Sequence, residues 1–123
     1  MHLIAALLLL IQVTAPAWND APPSMPKGTK IAVLEGSPQQ PGLFTIRLRV
    51  PAGAKIAAHT HPRPERVTVL SGKATVHING KSTTFEAGGF YVNPPAVPHS
   101  LAFAEETVLQ LTCEGPWELK YVD

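Results

Sequence analysis

The chain has 123 residues, 45% of them hydrophobic, and its ten basic and nine acidic side chains leave a formal net charge of +1. A charge this close to neutral excludes the strongly basic surfaces that bind nucleic acid or acidic membranes. The length allows one modest hydrophobic core and excludes a two-domain enzyme. Thirteen prolines and nine glycines are too many chain breakers for a helical bundle. The composition therefore predicts a single all-β domain with short loops.

The N-terminus has the features of an export signal. Residues 1–17 carry no charged side chain and include an 11-residue apolar run from Leu3 to Val13, which is shorter than the roughly 20 residues that cross a bilayer as a helix. Ala15, Pro16 and Ala17 give the small-residue pattern that signal peptidase reads. We expect residues 1–17 to be a signal peptide and the product to be periplasmic or secreted, without a membrane insertion. The alternative is a buried N-terminal strand or helix.

The remainder divides into an arm and a domain. Residues 18–29 hold three prolines without periodicity, which predicts an extended N-terminal arm. Residues 30–123 consist of short apolar runs separated by turn residues, the spacing typical of a β-sandwich or barrel. The predicted strands are Lys30–Glu35, Leu43–Val50, Lys55–His61, Glu65–Ser71, Ala74–Ile78, Lys81–Phe85, Phe90–Val92, His99–Ala104, Thr107–Cys113 and Trp117–Val122. Asn79-Gly80 predicts a type I′ hairpin, because both residues tolerate positive φ.

Four residues form a candidate metal site. His59 and His61 are two apart on a predicted strand, so both imidazoles project from one face, at a spacing that lets one cation bind both. Glu65 and His99 each open a later strand after a proline-rich turn. Three neutral nitrogens and one anionic oxygen leave one or two positions open on a five- or six-coordinate divalent ion. A His-x-His pair alone is more often a surface or core feature, so the prediction depends on the whole set.

The spacing of these residues resembles that of a known family. Their context reads Gly53-x5-His59-x-His61-x3-Glu65-x6-Gly72 and Gly88-x5-Pro94-x-Ala96-x2-His99, which is similar to the two sequence motifs of the cupins. Ala96 stands where the second motif usually has glycine, and Phe103 where it has asparagine. The resemblance implies a small single-domain cupin, of the type-2 kind, that is, a jelly-roll β-barrel with the metal inside one end.

Two functions fit such a site. The first is a metal-dependent enzyme of dioxygenase, isomerase or lyase type acting on a small organic molecule, with the ion as Lewis acid or O2 activator. Redox chemistry favours Fe or Mn, while Zn, Ni or Cu would accept the same ligands. The second is a non-catalytic module that binds or senses a small ligand through the metal, since cupin-like domains occur in both classes.

Few other side chains could take part in chemistry. Tyr91, Gln110 and Arg47 are the polar candidates for a substrate pocket, and Phe103 is an apolar one, although each could equally lie in the core or in solvent. No catalytic group is predicted beyond the metal ligands.

Aromatic residues near the C-terminus raise the question of oligomeric state. Trp117 and Tyr121 are expected to close the barrel or to lie in an interface. Because the sheet edges of a small jelly roll need covering, we expect a homodimer.

Overall fold

Antiparallel strands make up more than half of residues 15–122, the part of the chain that the computed structural model describes. The strands are β1 (Asn19–Asp20), β2 (Lys30–Glu35), β3 (Gly42–Val50), β4 (Lys55–Thr60), β5 (Glu65–Ser71), β6 (Lys73–Ile78), β7 (Lys81–Glu86), β8 (Phe90–Asn93), β9 (His99–Ala102), β10 (Thr107–Gly115) and β11 (Lys120–Tyr121). The described residues contain no helix that is long and apolar enough to cross a bilayer.

The strands form two sheets. The first has the order β1-β2-β3-β10-β5-β8 and the second the order β11-β4-β9-β6-β7. Neighbours in a sheet are often distant in sequence, so the chain passes repeatedly from one sheet to the other. This is a jelly-roll β-barrel, and it confirms the all-β prediction.

The core lies between the inner faces of the two sheets. The nine residues of β3 pair with the nine of β10, and along both strands buried residues alternate with partly exposed ones. Phe44 and Ile46 on β3, like Leu111 and Cys113 on β10, are almost fully buried. The period of two therefore defines the inner face of the barrel.

Each of the ten predicted strands has a counterpart, with ends that differ by a few residues. The last is the most shortened, since only Lys120 and Tyr121 pair with β4. The Asn79-Gly80 hairpin is present between β6 and β7, with φ values of +51° and +74°. Positive φ at both turn residues is the type I′ signature that the sequence predicted.

The N-terminal arm, residues 18–29, is packed against the barrel. Its β1 strand pairs with β2, Trp18 lies over the guanidinium of Arg49, and Met25 is buried in the core. The sequence showed no periodicity here because these contacts are made by single side chains in a proline-rich loop. The predicted signal peptide lies outside the described residues except for positions 15–17.

Candidate metal centre

Three histidines meet inside the barrel. His59 lies on β4, His61 directly follows β4, and His99 is the first residue of β9. His59 and His99 are cross-strand partners, and one ring nitrogen from each of the three lies within 4.8 Å of the other two. All three side chains are at most 2% exposed. The structure thus brings together the three imidazoles that the spacing singled out.

The outer nitrogen of each imidazole is held by the backbone. Nδ1 is 2.7 Å from the carbonyl of Ala57 in His59, 2.8 Å from that of Glu118 in His61, and 3.1 Å from that of Val97 in His99. A carbonyl can only accept, so each Nδ1 carries the proton and each neutral ring presents the Nε2 lone pair inward. Among residues 15–122, Nε2 of His61 and of His99 has no hydrogen-bond partner, as expected for nitrogen atoms whose lone pairs are available to a cation.

Burial keeps the rings of His59 and His99 neutral. Desolvation lowers the pKa of His59 to about 4, against a weaker opposing effect of its hydrogen bond to Ala57. Desolvation also lowers the pKa of His99. A neutral imidazole is the form that binds a metal, so at neutral pH the lone pairs of both residues are available.

Glu65 lies beside the imidazole cluster. It is the first residue of β5 and 4% exposed. Its Oε1 accepts a hydrogen bond of 2.9 Å from Asn93, and its Oε2 accepts one of 3.1 Å from the indole of Trp117. Oε2 is also 3.3 Å from Nε2 of His61. Because both oxygens retain free lone pairs, the carboxylate can still bind a cation placed between it and the imidazoles.

A narrow cavity extends from His59, His61 and Glu65 into the apolar interior. Its volume is about 20 Å³, room for about one water molecule. Aliphatic side chains form most of its walls, and Tyr91 lies among them. Burial, followed by the charge of Glu65, raises the pKa of Tyr91, so its phenol remains protonated and can donate a hydrogen bond.

The other predicted pocket residues lie elsewhere. Arg47 and Gln110 sit opposite each other on β3 and β10, and Arg47 Nε donates a 3.0 Å hydrogen bond to Gln110. They alternate with the buried residues of their strands, so they belong to the outer face of the sheet and not to the pocket. Phe103 is 1% exposed within the hydrophobic core and does not line the cavity.

Sequence reasoning missed several residues that complete the site. Met25 and Leu119 line the cavity together with Trp117, and Trp117 and Leu119 also pack against the hydrophobic core. Asn93 could have been found, because it is two residues from Tyr91 on the same strand and shares its face. The carbonyl of Glu118 carries no sequence signal.

The arrangement fits a divalent transition metal. Three neutral imidazole nitrogens and a carboxylate are a ligand set that such ions accept, with imidazole suited to Fe, Ni, Cu and Zn.

A further histidine, His77, does not belong to the cluster. It is exposed on β6 and its Nδ1 lies 2.9 Å from the hydroxyl of Ser82, away from the cluster.

Solved structures share this fold. An RmlC-like cupin from Shewanella frigidimarina matches with a TM-score of 0.68 and 21% identity, over 80% of this chain and 83% of that one. The polyketide cyclase RemF from Streptomyces resistomycificus matches with a TM-score of 0.76 and 14% identity, over 94% and 87%. Salicylate 1,2-dioxygenase from Pseudoaminobacter salicylatoxidans, in a structure with gentisate, matches with a TM-score of 0.66 and 24% identity, over 76% of this chain and 29% of that one.

These identities establish the architecture alone, and no curated protein sequence matches the chain. The family is given by a sequence model of the ChrR cupin-like domain, which matches residues 8–118. That match covers both ligand-bearing segments and most of the barrel. The chain belongs to the ChrR cupin-like domain family.

Proposed function

We propose that the chain binds one divalent transition metal ion through His59, His61, His99 and Glu65. The observation that carries the proposal is the arrangement of three buried imidazoles, each with Nδ1 tied to a backbone carbonyl. Such hydrogen bonds fix the tautomer and raise the basicity of the inward-facing nitrogen. Fe or Mn is favoured for a redox-active site, and Zn, Ni or Cu would accept the same ligands.

The use we propose for the site is catalysis on a small organic molecule, of dioxygenase, isomerase or lyase type. A bound ion would supply Lewis-acid polarisation or O2 activation. The chain's own residues would hold the ligands in place, exclude water with aliphatic walls, and offer the protonated phenol of Tyr91 as a hydrogen-bond donor. The dioxygenase and the cyclase among the structural neighbours share the fold and do not select one reaction.

The size of the cavity favours a second candidate. About 20 Å³ admits a metal ion or a water molecule but no organic substrate. A site this small suits a module that binds or senses a ligand through its metal. For catalysis, the side chains of Met25, Trp117 and Leu119 would have to move away from the metal to admit a substrate.

Elemental analysis tests metal binding. The protein is purified without an affinity-tag metal, and about one equivalent of a transition metal is expected, either as purified or after reconstitution at neutral pH. Less than about a tenth of an equivalent under both conditions would overturn the proposal. His61→Ala should lose the metal. His77→Ala, which removes the exposed imidazole outside the cluster, is the matched control and should keep it.

Oxygen consumption separates the two uses of the site. The metal-loaded protein is mixed with a panel of small diols, diketones and phenols. Turnover that is lost in His61→Ala and kept in His77→Ala supports an oxygen-dependent enzyme. Saturable binding of a panel member without turnover of any kind supports the binding module.

Export and dimerisation are proposed as well. The leader supports a periplasmic or secreted protein, and N-terminal sequencing of the mature product is expected to begin at Trp18.

Phe90 and Val92 are exposed apolar residues on β8, the last strand of the first sheet, and such an edge is a common site of pairing between copies. A light-scattering mass of one mature chain would contradict the dimer.

A further inference from the structure

The C-terminal strap, residues 116–122, crosses the barrel at the predicted ligands. Within it, Tyr121 pairs with His59 across the two strands β11 and β4, and the amide of Val122 donates a 3.0 Å hydrogen bond to the carbonyl of Ala58. The strap also touches the N-terminal arm, since the hydroxyl of Tyr121 donates to the carbonyl of Ser24. These few bonds hold a short segment directly over the site.

Trp117 contacts two of the predicted ligands at once. Its indole Nε1 donates the 3.1 Å hydrogen bond to Oε2 of Glu65. Its ring is nearly parallel to that of His61, with an interplanar angle of 11° and a centroid distance of 6.1 Å. Trp117 therefore fixes the direction of a carboxylate and covers the face of an imidazole.

The next residue acts on the same imidazole through its backbone. The carbonyl of Glu118 accepts the Nδ1 proton of His61, whereas His59 and His99 use carbonyls only two residues away in their own strands or turns. One ligand thus depends for its tautomer on a segment 57 residues further along the chain. Tyr121 adds an edge contact to His59, with ring centroids 5.9 Å apart.

Removing the strap would therefore disturb the ligand set without removing any ligand. Glu65 would lose one of its two donors while it remains in the interior, and His61 would lose the partner that directs its lone pair inward. Outer partners of this kind change metal affinity by about 10- to 100-fold when they are removed. Binding free energies are reciprocal, so an ion that prefers the ordered ligands also stabilises the docked strap.

We propose that the C-terminal strap is part of the metal centre: Trp117 positions Glu65, Glu118 positions His61, and docking of the strap is coupled to metal binding. The inference rests on the proposed function, because it needs the site to bind a metal. It goes further by assigning two positioning residues outside the ligand motifs. It also makes the C-terminus the element whose release would lower metal retention.

A pair of tryptophan variants tests the positioning role. Trp117→Phe keeps an aromatic ring but removes the indole N–H from Glu65. Trp18→Phe removes the indole that lies over Arg49, away from the site, and is the matched control. Affinity for Co2+ is measured on the full chain by competition with a chelator, together with the visible d–d spectrum of the bound ion.

We expect Trp117→Phe to bind Co2+ about 10- to 100-fold more weakly with an altered d–d spectrum, while Trp18→Phe matches the wild type. Equal affinity and equal spectra in all three proteins would overturn the inference and leave the proposed function intact. Failure of the wild type to bind Co2+ or any other transition metal would overturn the proposed function itself.

Hydrogen exchange on the wild-type protein tests the coupling without any substitution. Addition of Co2+ should slow exchange of the Val122 amide, and of the Trp117 amide, which donates to the carbonyl of Pro38. Exchange of the Gly53 amide, which donates to the carbonyl of Phe103 beyond the ends of β4 and β9 opposite to His59 and His99, should not change. If Co2+ binds and strap exchange is unaltered, the coupling is refuted even where Trp117→Phe does not fold.

Discussion

Ala96 is held in a conformation that alanine seldom adopts. Its φ is +60°, in the left-handed region where a Cβ meets the following carbonyl oxygen. Its amide donates a 2.8 Å hydrogen bond to the carbonyl of His61, which ties the loop before His99 to the loop after β4. The cupin motif usually has glycine here, and the structure shows that the backbone has kept the conformation that glycine would favour.

Ala96→Gly should therefore stabilise the protein. Relief of the left-handed strain exceeds the extra unfolded-state entropy of glycine, which gives a net gain of about 0.5–1 kcal/mol. Urea unfolding at neutral pH measures the change. Ala102→Gly, on strand β9, is the control and should destabilise by a similar amount. A loss of stability in Ala96→Gly would show that the backbone at position 96 is not strained.

Cys113 is a buried thiol whose pKa is raised by its surroundings. It is 2% exposed, and desolvation, followed by the charge of Glu65, raises its pKa above the usual value. The thiolate is the reactive species, so we expect the native protein to react with a disulfide reagent at pH 8.5 at least about tenfold more slowly than the denatured protein. Equal rates would contradict the burial.

The raised pKa of Cys113 also makes the stability of the protein depend on pH. The folded state retains the thiol proton at a pH where the unfolded chain loses it, so the contribution of Cys113 is fully present below the unfolded pKa and is lost as pH rises towards the folded value. In urea titrations above about pH 9, Cys113→Ser should show less of this alkaline loss than the wild type.

At the scale of elements, the ligands occupy the ends of strands. His59 lies next to the last residue of β4, His61 directly follows β4, Glu65 begins β5 and His99 begins β9. Strand ends can present side chains to a common point while the strand interiors supply the rigid hydrogen-bonded frame. The turns that connect the strands are accordingly where backbone geometry is most demanding.

Two glycines with similar backbone angles separate conformational strain from lack of space. Gly72 and Gly80 have φ values of +82° and +74°. A Cβ at Gly80 would meet no atom of the described residues within 4 Å, whereas one at Gly72 would lie 2.7 Å from the Cα of Thr107. Gly80→Ala should cost about 1 kcal/mol from φ alone, and Gly72→Ala about 3 kcal/mol because the β10 backbone must also shift. Chemical denaturation of both variants checks the order, and equal losses would contradict it.

At the scale of the molecule, the site joins segments from the whole chain. Its ligands come from both sheets, and its covering residues come from the N-terminal arm and the C-terminal strap. A ligand that binds only this assembled state stabilises the fold as a whole. Metal binding and global stability should therefore be linked.

Metal loading should raise the thermal midpoint. At a free ion concentration about 100 times Kd, the gain is about 2.7 kcal/mol, which corresponds to roughly 10–20 °C for a domain of this size. Scanning calorimetry with and without Co2+ measures the shift, and a chelator should reverse it. Mg2+, which prefers oxygen ligands, is the control and should have little effect. No shift with any transition metal would contradict the linkage.

The sequence by itself determined the all-β class, ten strands and the candidate ligands, because alternation and ligand spacing are local properties of the chain. The tertiary structure decided which residues surround those ligands. Trp117 and Glu65 are 52 residues apart, and Asn93 and Glu65 are 28 apart, so their contacts depend on strand order and not on any short pattern. The same is true of Arg47 and Gln110, whose side of the sheet is set by strand register: a shift of one residue would exchange the two faces.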